Sequence, residues 1–249
     1  MTRDQMRSRA AALGLHGLVA HWDELADAPW VTALLEGEEA ERKRRSLERR
    51  LKNARIGAFK AMADFDWTWP KKIPREAVED LLSLRFINEG ANAVFVGPNG
   101  LGKSMICQNI AHAALLRGYT VRYTMASTML ADLASQDGSI ALQRRLRHYC
   151  RPQLLVIDEV GYLSYDNRHA DLLFEVVSRR YRQRSIVVST NRIFAEWNEV
   201  FPSAACVVAL IDRLVHDAEI VPIEGDSYRA KEAGEKASKR ASTRRKTKT

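Results

Sequence analysis

The 249-residue sequence lacks several features that define common classes of protein. It has only three cysteines, widely scattered, so neither a disulfide framework nor a zinc site is indicated. No apolar run approaches the roughly 18 residues that a membrane-spanning helix needs. The first residues, MTRDQMRSRAAALG, contain no apolar segment of the signal-peptide kind. We therefore expect a cytoplasmic protein with reduced thiols and no membrane partner.

Patterns for covalent and metal chemistry are missing as well. The six histidines show no ligand spacing with one another or with the cysteines. No nucleophile motif of the G-x-S-x-G kind occurs. These residues are better explained by packing or by surface positions than by catalysis.

Positive charge is present in excess and is concentrated in two segments. Residues 42–60 hold nine Lys/Arg and one acid, Glu48, and residues 230–249 hold eight Lys/Arg and two acids. The net charge of the whole chain is +8, so the remainder is mildly acidic. A charge run on a helix is usually a solvated face, but one acid cannot neutralise nine bases. This distribution favours a polyanion partner.

Hydrophobic periodicity predicts a helical N-terminal domain followed by an α/β domain. Apolar residues recur every 3–5 positions at the start of the chain, and residues 40–60 have the pattern of a long polar helix. Short apolar runs later alternate with helical patterns, which is typical of a doubly wound parallel sheet. The predicted divisions are a helical domain at 1–65, a linker at 66–76, an α/β domain at 77–229 and a disordered basic tail at 230–249.

The individual elements of the α/β domain follow from the same patterns. The predicted strands lie at 93–96, 121–125, 154–157, 186–189 and 219–223. The predicted helices lie at 103–116, 127–135, 140–149, 170–182 and 208–215.

A glycine-rich loop follows the first strand. Its sequence, GPNGLGKS, matches the spacing G-x-x-x-x-G-K-S. Glycines let successive backbone N–H groups turn towards phosphate at a helix N-terminus, while Lys103 adds positive charge and the Ser104 hydroxyl is a ligand for Mg²⁺. An accidental glycine-rich turn is the alternative, but the position between strand and helix argues against it. The predicted ATP contacts are Gly97, Pro98, Asn99, Gly100, Leu101, Gly102, Lys103, Ser104 and Met105.

Polar residues at the ends of two later strands complete the predicted site. Asp158 and Glu159 end the stretch LLVIDE, and Asn191 ends SIVVSTN. Two adjacent acids often form only a solvated turn, and Ser-Thr-Asn is a common strand exit. Together with the loop, however, Asp158 is suited to the magnesium shell, Glu159 to polarising water, and Asn191 to orienting it. Glu159 favours hydrolysis of ATP over transfer to a small-molecule acceptor.

Longer stretches of the sequence resemble a known family. LLVIDEVGYLSYDNRHADLLFEVVSRRYRQRSIVVSTNRIFAEWNEVF and ALIDRLVHDAEIVPIEGDSYR closely resemble the IstB/DnaC group of AAA+ ATPases. ERKRRSLERRLKNARI and DFDW match its IstB branch. The resemblance covers about residues 8–230 and implies an AAA+ P-loop NTPase core with a small all-helical N-terminal domain.

The resemblance also implies an active site shared between neighbouring subunits. Arg213 matches the arginine finger, which acts in trans, and Arg229 matches the sensor II-like arginine. From its own surroundings in the sequence, Arg213 would be interpreted as an ordinary surface ion pair. An arginine delivered by a second subunit stabilises transition-state charge and couples hydrolysis to homo-oligomer formation.

DNA is the polyanion that the resemblance implies. Residues 127–149 correspond to the helical insertion that touches DNA in relatives, and the basic run at 42–60 is explained economically by phosphate contacts. The predicted DNA-binding residues are Arg42, Lys43, Arg45, Arg49, Arg50, Lys52, Arg144, Arg145 and Arg147.

The function predicted from the sequence is ATP- and Mg²⁺-dependent assistance of transposition. The protein would oligomerise on duplex DNA, remodel it, and recruit or activate the transposase encoded by the same element. A DnaC-like helicase loader, with a preference for single strands, is the main alternative. A small-molecule kinase is a third, against which Glu159 and the basic helix argue.

Overall fold

A computed structural model describes residues 2–162, 165–201 and 205–233. The chain divides into two compact units, residues 1–52 and 53–249. The predicted domain limits at 65, 76 and 229 stay predictions, and residues 234–249 of the predicted tail lie outside the described residues. No helix in the described ranges has both the length and the apolar character to cross a membrane.

The first unit is helical. Its elements are α1 (Arg3–Ala12), α2 (His16–Ala20), α3 (Trp22–Leu25) and most of α4 (Trp30–Ala54). Thr2 caps α1, since its hydroxyl accepts from the Gln5 N–H while the Gln5 side chain accepts from the Thr2 N–H. The buried core consists of Ala10, Leu13, Leu18, Trp22, Ala26, Val31 and Leu35.

Helix α4 differs from the helix predicted at 40–60. It begins ten residues earlier, at Trp30, and ends at Ala54. Arg55 has a φ of 56°, in the left-handed region, and Gly57 follows with a φ of 76°. A left-handed residue directly after the last turn is a common helix terminator, which periodicity alone does not reveal.

The second unit is built on a five-stranded sheet with the order β2-β3-β4-β1-β5. All neighbouring strands are parallel. The strands are β1 (Asn92–Val96), β2 (Val121–Met125), β3 (Leu154–Val160), β4 (Ser185–Thr190) and β5 (Ala218–Pro222). Their central positions are rich in Val and Ile, which suit a buried pleated surface.

Helices cover both faces of this sheet. They are α5 (Arg75–Ser83), α6 (Arg85–Glu89), α7 (Lys103–Leu116), α8 (Ala126–Ala134), α9 (Ser139–Cys150), α10 (Asn167–Arg180), α11 (Trp197–Val200) and α12 (Val207–Val215). Helices α5 to α7 enclose one apolar core with the sheet, and α8 to α12 enclose the other. The predicted doubly wound parallel sheet is therefore confirmed.

Strand β3 is longer than the predicted run at 154–157. It continues to Val160, so Asp158 and Glu159 lie within the strand. The register with β4 shifts between Ile157 and Val160, and Glu159 has a φ of 60°. The strand therefore contains a bulge at the two acids, a local feature that often re-aims a side chain next to a functional site.

Candidate nucleotide site

A cavity of about 560 Å³ lies in the second unit, at the carboxyl ends of the central strands. Strand β4 has β1 on one side and β3 on the other, so the segments that follow these three strands meet at one edge. Ligands of open α/β sheets bind at this edge. The lining includes Asn99–Met105, Glu159, Tyr162, Ser189, Asn191, Phe65, Asp66, Trp69, Tyr228, Arg229 and Glu232.

The glycine-rich loop takes a backbone shape that side chains would obstruct. Gly100 and Gly102 have φ values of 84° and 89°, in the region that disfavours L-residues. A Cβ on Gly102 would lie 2.5 Å from Cε2 of Phe65, and one on Gly100 would overlap the Ser227 side chain. The loop therefore needs glycine both for its dihedral angles and for its close neighbours.

Lys103 lies inside the curl of the loop. Its Nζ donates to the carbonyl oxygens of Gly97 at 2.5 Å and Pro98 at 2.8 Å. The residue is buried, and this burial lowers the pKa of Lys103, whereas Asp158 acts in the opposite direction. The two hydrogen-bond acceptors of the ammonium group are thus neutral carbonyl oxygens. A charged phosphate oxygen accepts a stronger hydrogen bond and can replace them.

Asp158 is buried, and hydroxyl groups donate to both of its carboxylate oxygens. Oδ1 accepts from Ser104 Oγ at 3.2 Å and from Ser189 Oγ, and Oδ2 accepts from the Tyr123 hydroxyl. Burial, and next the charge of Asp158, raise the pKa of Tyr123, which keeps the phenol protonated as a donor. Sequence reasoning missed Tyr123 and Ser189 because the order of β2, β3 and β4 is needed to bring them to Asp158.

Glu159 reaches the cavity from the bulge. Its left-handed backbone costs about 1–2 kcal/mol for a residue with a side chain, and its N–H donates to Ser189 Oγ at 2.9 Å. Non-glycine residues in this conformation concentrate at functional sites. Glu159 and the glycine-rich loop line the same cavity, so these two parts of the predicted site lie close together.

Asn191 follows β4 and lines the same cavity. Its Oδ1 is buried and has no hydrogen-bond partner among the described residues. Buried polar atoms in native proteins are nearly always hydrogen-bonded, to protein or to other molecules. An acceptor without a partner at this position is suited to a water molecule or a ligand.

Aromatic residues form another wall of the cavity. Trp69 and Tyr228 meet edge to face at 5.8 Å, and Trp69 Nε1 donates to Asp226 O at 2.8 Å. Lys231 Nζ lies 4.3 Å from the Trp69 ring centroid, and Arg229 also lines the cavity. Trp69 belongs to the predicted linker at 66–76, so the linker contributes to the site. The two tryptophans in DWTWP, residues 66–70, are the signal that could have indicated this.

The residues present fit ATP and Mg²⁺. The Ser104 hydroxyl and the Asp158 carboxylate are hard oxygen donors 3.2 Å apart, and Mg²⁺ prefers such ligands. The loop leads into α7, whose N-terminal N–H groups are suited to phosphate. ATP contacts and metal ligands at these positions stay predictions.

Arg213 does not line this cavity. It lies on α12, where its guanidinium donates to Ser178 Oγ and lies 4.7 Å from the Phe174 ring centroid. The chain therefore brings Arg229 to the nucleotide site but leaves Arg213 elsewhere. This separation is what an arginine acting on a neighbouring subunit would require.

The predicted DNA-binding arginines of α9 divide into two kinds. Arg144 and Arg147 are exposed. Arg145 Nε donates to Asp132 Oδ2 at 2.5 Å, and Tyr149 donates to the same oxygen. Arg145 is thus already neutralised, which sequence spacing did not indicate.

The basic helix α4 requires a correction. Intrahelical pairing does neutralise part of the run at 42–60, because Glu38 and Glu41 lie just before it. Arg42 pairs with Glu38, Arg45 pairs with Glu41, and Arg44 pairs with both Glu41 and Glu48. These contacts are 2.5–2.8 Å long. Within the described part of the chain, no ion pair involves Arg49 or Lys52.

The other predicted contacts on α4 have mixed surroundings. Lys43 is exposed, whereas Arg50 is half-buried and donates to Ser46 Oγ at 2.6 Å. The exposed bases Lys43, Arg49 and Lys52 are therefore the better candidates for phosphate contacts on this helix.

The fold and the site define an AAA+ P-loop core. DnaI shares this fold, with a TM-score of 0.54 at 16% identity, over 69% of this chain and 90% of that chain. AMPPCP-bound DnaA from Aquifex aeolicus has a TM-score of 0.50 at 24% identity, over 66% of this chain and 50% of that chain. Similarity at these identities shows the fold alone.

Sequence comparison identifies the family. The family model described as IstB-like ATP binding protein matches residues 6–236, and the chain belongs to that family. It is 34% identical to the protein named as an ATP-binding protein of insertion sequence IS5376 from Geobacillus stearothermophilus, over 80% of this chain and 79% of the relative. The corresponding IS232 protein of Bacillus thuringiensis subsp. berliner is 36% identical over 72% of each chain. The predicted IstB relationship is confirmed.

Proposed function

We propose that this protein is an ATP-hydrolysing helper of transposition that assembles on duplex DNA. The observation that carries the proposal is that the glycine-rich loop, Glu159, Asn191 and Arg229 line one cavity, with Asp158 hydrogen-bonded to Ser104. Family membership supports the same activity, because relatives are named as ATP-binding proteins of insertion sequences.

The residues have distinct roles in the proposed hydrolysis. Lys103 exchanges its carbonyl acceptors for phosphate oxygens, and Ser104 with Asp158 would hold Mg²⁺. When bound, the ion neutralises charge on the phosphate oxygens. Glu159 accepts a proton from the attacking water, and Asn191 uses its free Oδ1 to orient that water.

Completion of the site requires a second subunit in this proposal. Arg229 acts within the chain, whereas Arg213 acts on the nucleotide of a neighbour. An arginine supplied in trans makes the rate of hydrolysis depend on assembly. The position of Arg213 outside the lining of its own cavity, beside Ser178, supports this assignment.

DNA and a transposase are the proposed partners. Arg49 and Lys52 on α4, with Arg144 and Arg147 on α9, are exposed bases suited to phosphate. The insertion-sequence names of the relatives support a transposase encoded by the same element. The assembly would remodel target DNA and present it to that transposase.

The variant Lys103→Ala tests the assignment of the ATP site. ATP hydrolysis is measured with and without duplex DNA in the wild type and in Lys103→Ala. We expect duplex DNA to stimulate the wild type and the variant to lose hydrolysis. Full activity of Lys103→Ala would refute the assignment of the ATP site. An equal rate of ATP turnover with and without DNA would favour a kinase-like function.

DNA binding is tested by reversing charge on α4. Arg49→Glu with Lys52→Glu is compared with Arg3→Glu and Arg7→Glu, which change the charge of the same unit equally. We expect only the first pair to abolish ATP-dependent duplex binding. Unchanged binding would contradict the proposal that Arg49 and Lys52 on α4 contact DNA. A preference for single-stranded DNA would favour a helicase loader.

A further inference from the structure

Ser189 joins the two acidic residues of the site through one hydroxyl group. It is fully buried on β4, next to β3. Its Oγ accepts from the Glu159 N–H at 2.9 Å and donates to Asp158 Oδ1. A serine hydroxyl has one hydrogen to donate, and here the carboxylate takes it.

The bulge in β3 explains why a side chain is needed at this position. Regular pairing of β3 with β4 stops at Ile157 and resumes at Val160. Between these residues the Glu159 N–H bonds to a side-chain hydroxyl in place of a ladder carbonyl. A buried N–H without an acceptor costs about 1–3 kcal/mol, and the left-handed backbone of Glu159 adds to that cost. Ser189 thus stabilises the conformation from which the Glu159 side chain reaches the cavity.

We propose that Ser189 is a positioning residue for ATP hydrolysis: its hydroxyl holds the carboxylate of Asp158 and the backbone of Glu159 in a fixed relative orientation. The inference rests on the proposed hydrolytic function. Ser189 acts through the two acids, and its hydroxyl forms no bond to the reacting atoms. Its loss therefore changes the magnesium-dependent part of nucleotide binding and the turnover number, while nucleotide affinity without metal is retained.

Ser185 offers a matched control on the same strand. It is equally buried, and its hydroxyl donates to Phe86 O at 3.2 Å, away from the cavity lining. Ser189→Ala and Ser185→Ala each remove one buried hydroxyl from β4. A purely structural role predicts similar effects for the two variants, whereas a positioning role predicts different ones.

The experiment compares Ser189→Ala, Ser189→Thr, Ser185→Ala and the wild type as full-length chains. Affinity for a fluorescent ATP analogue is measured with EDTA and with Mg²⁺, and kcat is measured under the same conditions. For Ser189→Ala we expect kcat and the Mg²⁺-dependent gain in affinity to fall by about 10- to 100-fold, as for other residues that orient metal ligands. Affinity in EDTA should stay within about twofold, Ser189→Thr should recover most of kcat, and Ser185→Ala should resemble the wild type.

The outcomes separate this inference from the function on which it rests. If the wild type hydrolyses ATP and Ser189→Ala matches Ser185→Ala in every measurement, the positioning role is refuted while the function stands. If the wild type does not hydrolyse ATP, the proposed function itself fails. Should Ser189→Ala not fold, Ser189→Cys keeps the volume with a weakly hydrogen-bonding thiol, and wild-type kcat in that variant overturns the inference.

Discussion

Tyr123 donates its phenolic hydrogen to Oδ2 of Asp158, while the other carboxylate oxygen accepts from serine hydroxyls. Tyr123 lies on β2 and Asp158 on β3, and both are buried. Neutral donors therefore hold both carboxylate oxygens, and the charge of Lys103 interacts with the carboxylate without a direct hydrogen bond between them in the described part of the chain. Its stability in the interior depends on these hydroxyl groups.

Tyr123→Phe should destabilise the nucleotide-free protein. Removing the phenolic hydroxyl leaves Oδ2 of Asp158 buried without a donor, so we expect the free energy of unfolding to fall by about 1–3 kcal/mol. Chemical denaturation measures this change. Tyr119→Phe is the control, because the Tyr119 hydroxyl bonds to Asn88 Oδ1 in an exposed position, and we expect a loss within about 0.5 kcal/mol. Equal losses in the two variants would contradict the buried role of Tyr123.

Gly102→Ala should weaken nucleotide binding. The new Cβ would lie 2.5 Å from Phe65, so either the glycine-rich loop or a wall of the cavity must move. We expect ATP affinity to fall by about tenfold or more, equivalent to about 1.4 kcal/mol. Isothermal titration with ATP measures the change.

Gly118→Ala is the matched control for this substitution. Gly118 follows the other end of α7, with a φ of 97° and no atom within 4 Å of a built Cβ. Its backbone strain resembles that of Gly102, but no clash is added. Stability should fall by about 1–2 kcal/mol while ATP affinity stays at the wild-type value. A loss of ATP affinity in Gly118→Ala would show that strain alone explains the effect at Gly102.

Local patterns predicted the repeating parts of the fold well. Helix α7 and strand β2 have the predicted bounds, 103–116 and 121–125. Apolar residues recur at helical spacing in α7, and Val121, Tyr123 and Met125 alternate with polar residues in β2. The sequence placed candidate residues together where they are adjacent in the chain, as at Asp158 and Glu159 near the end of β3, and their roles stay predictions. These predictions depend only on residues that are close together in the sequence.

The features that sequence reasoning missed depend on long-range packing. Tyr123 and Ser189 meet Asp158 only because β2 and β4 flank β3. Arg45 pairs with Glu41, which lies one residue before the basic run at 42–60 and so outside the segment with one acid. Helix α4 ends where Arg55 adopts a left-handed backbone. Arginine is not a residue type that predicts this conformation, so the sequence did not indicate the end of the helix.

Arg180→Lys should destabilise the protein strongly although it keeps the charge. The Arg180 guanidinium is fully buried, and burial lowers its pKa to about 9. Its terminal nitrogens donate to the carbonyl oxygens of Tyr149, Cys150, Pro152, Gln153 and Ser185. A lysine has three donors on one atom and cannot reproduce this fork. Since several carbonyls would lose their donor, we expect a loss of about 3 kcal/mol or more.

Arg179→Lys is the control for that measurement. Arg179 is the preceding residue of α10 and pairs with Glu175 and Gln143 near the surface. Loss of such a contact costs about 0–1 kcal/mol. Denaturation curves of the two variants should differ clearly, and a similar midpoint for both would disprove the role of the buried fork.

Glu41 should titrate far below an ordinary glutamate and should restrain the basic helix. Hydrogen bonds from Arg44 and then Arg45 lower the pKa of Glu41 to about 2. Because the folded-state pKa is depressed, this stabilisation is present above pH 4.5 and is lost as the pH falls towards 2. NMR titration of the side chain tests the value, and added salt should move it upwards since the pairs are exposed.

Glu41→Gln releases Arg44 and Arg45 from their shared carboxylate. Arg44 keeps its pair with Glu48, so Arg45 is the guanidinium that loses its ion pair. If α4 contacts phosphate, as proposed, the released Arg45 should strengthen duplex DNA binding, and the gain should shrink as salt is raised. Glu36→Gln makes the same change in net charge on the same helix but breaks no ion pair with residues 42–52 of the described structure. Fluorescence anisotropy with labelled duplex compares the two. Equal affinities for both variants would show that only net charge matters and that α4 pairing does not limit DNA contact.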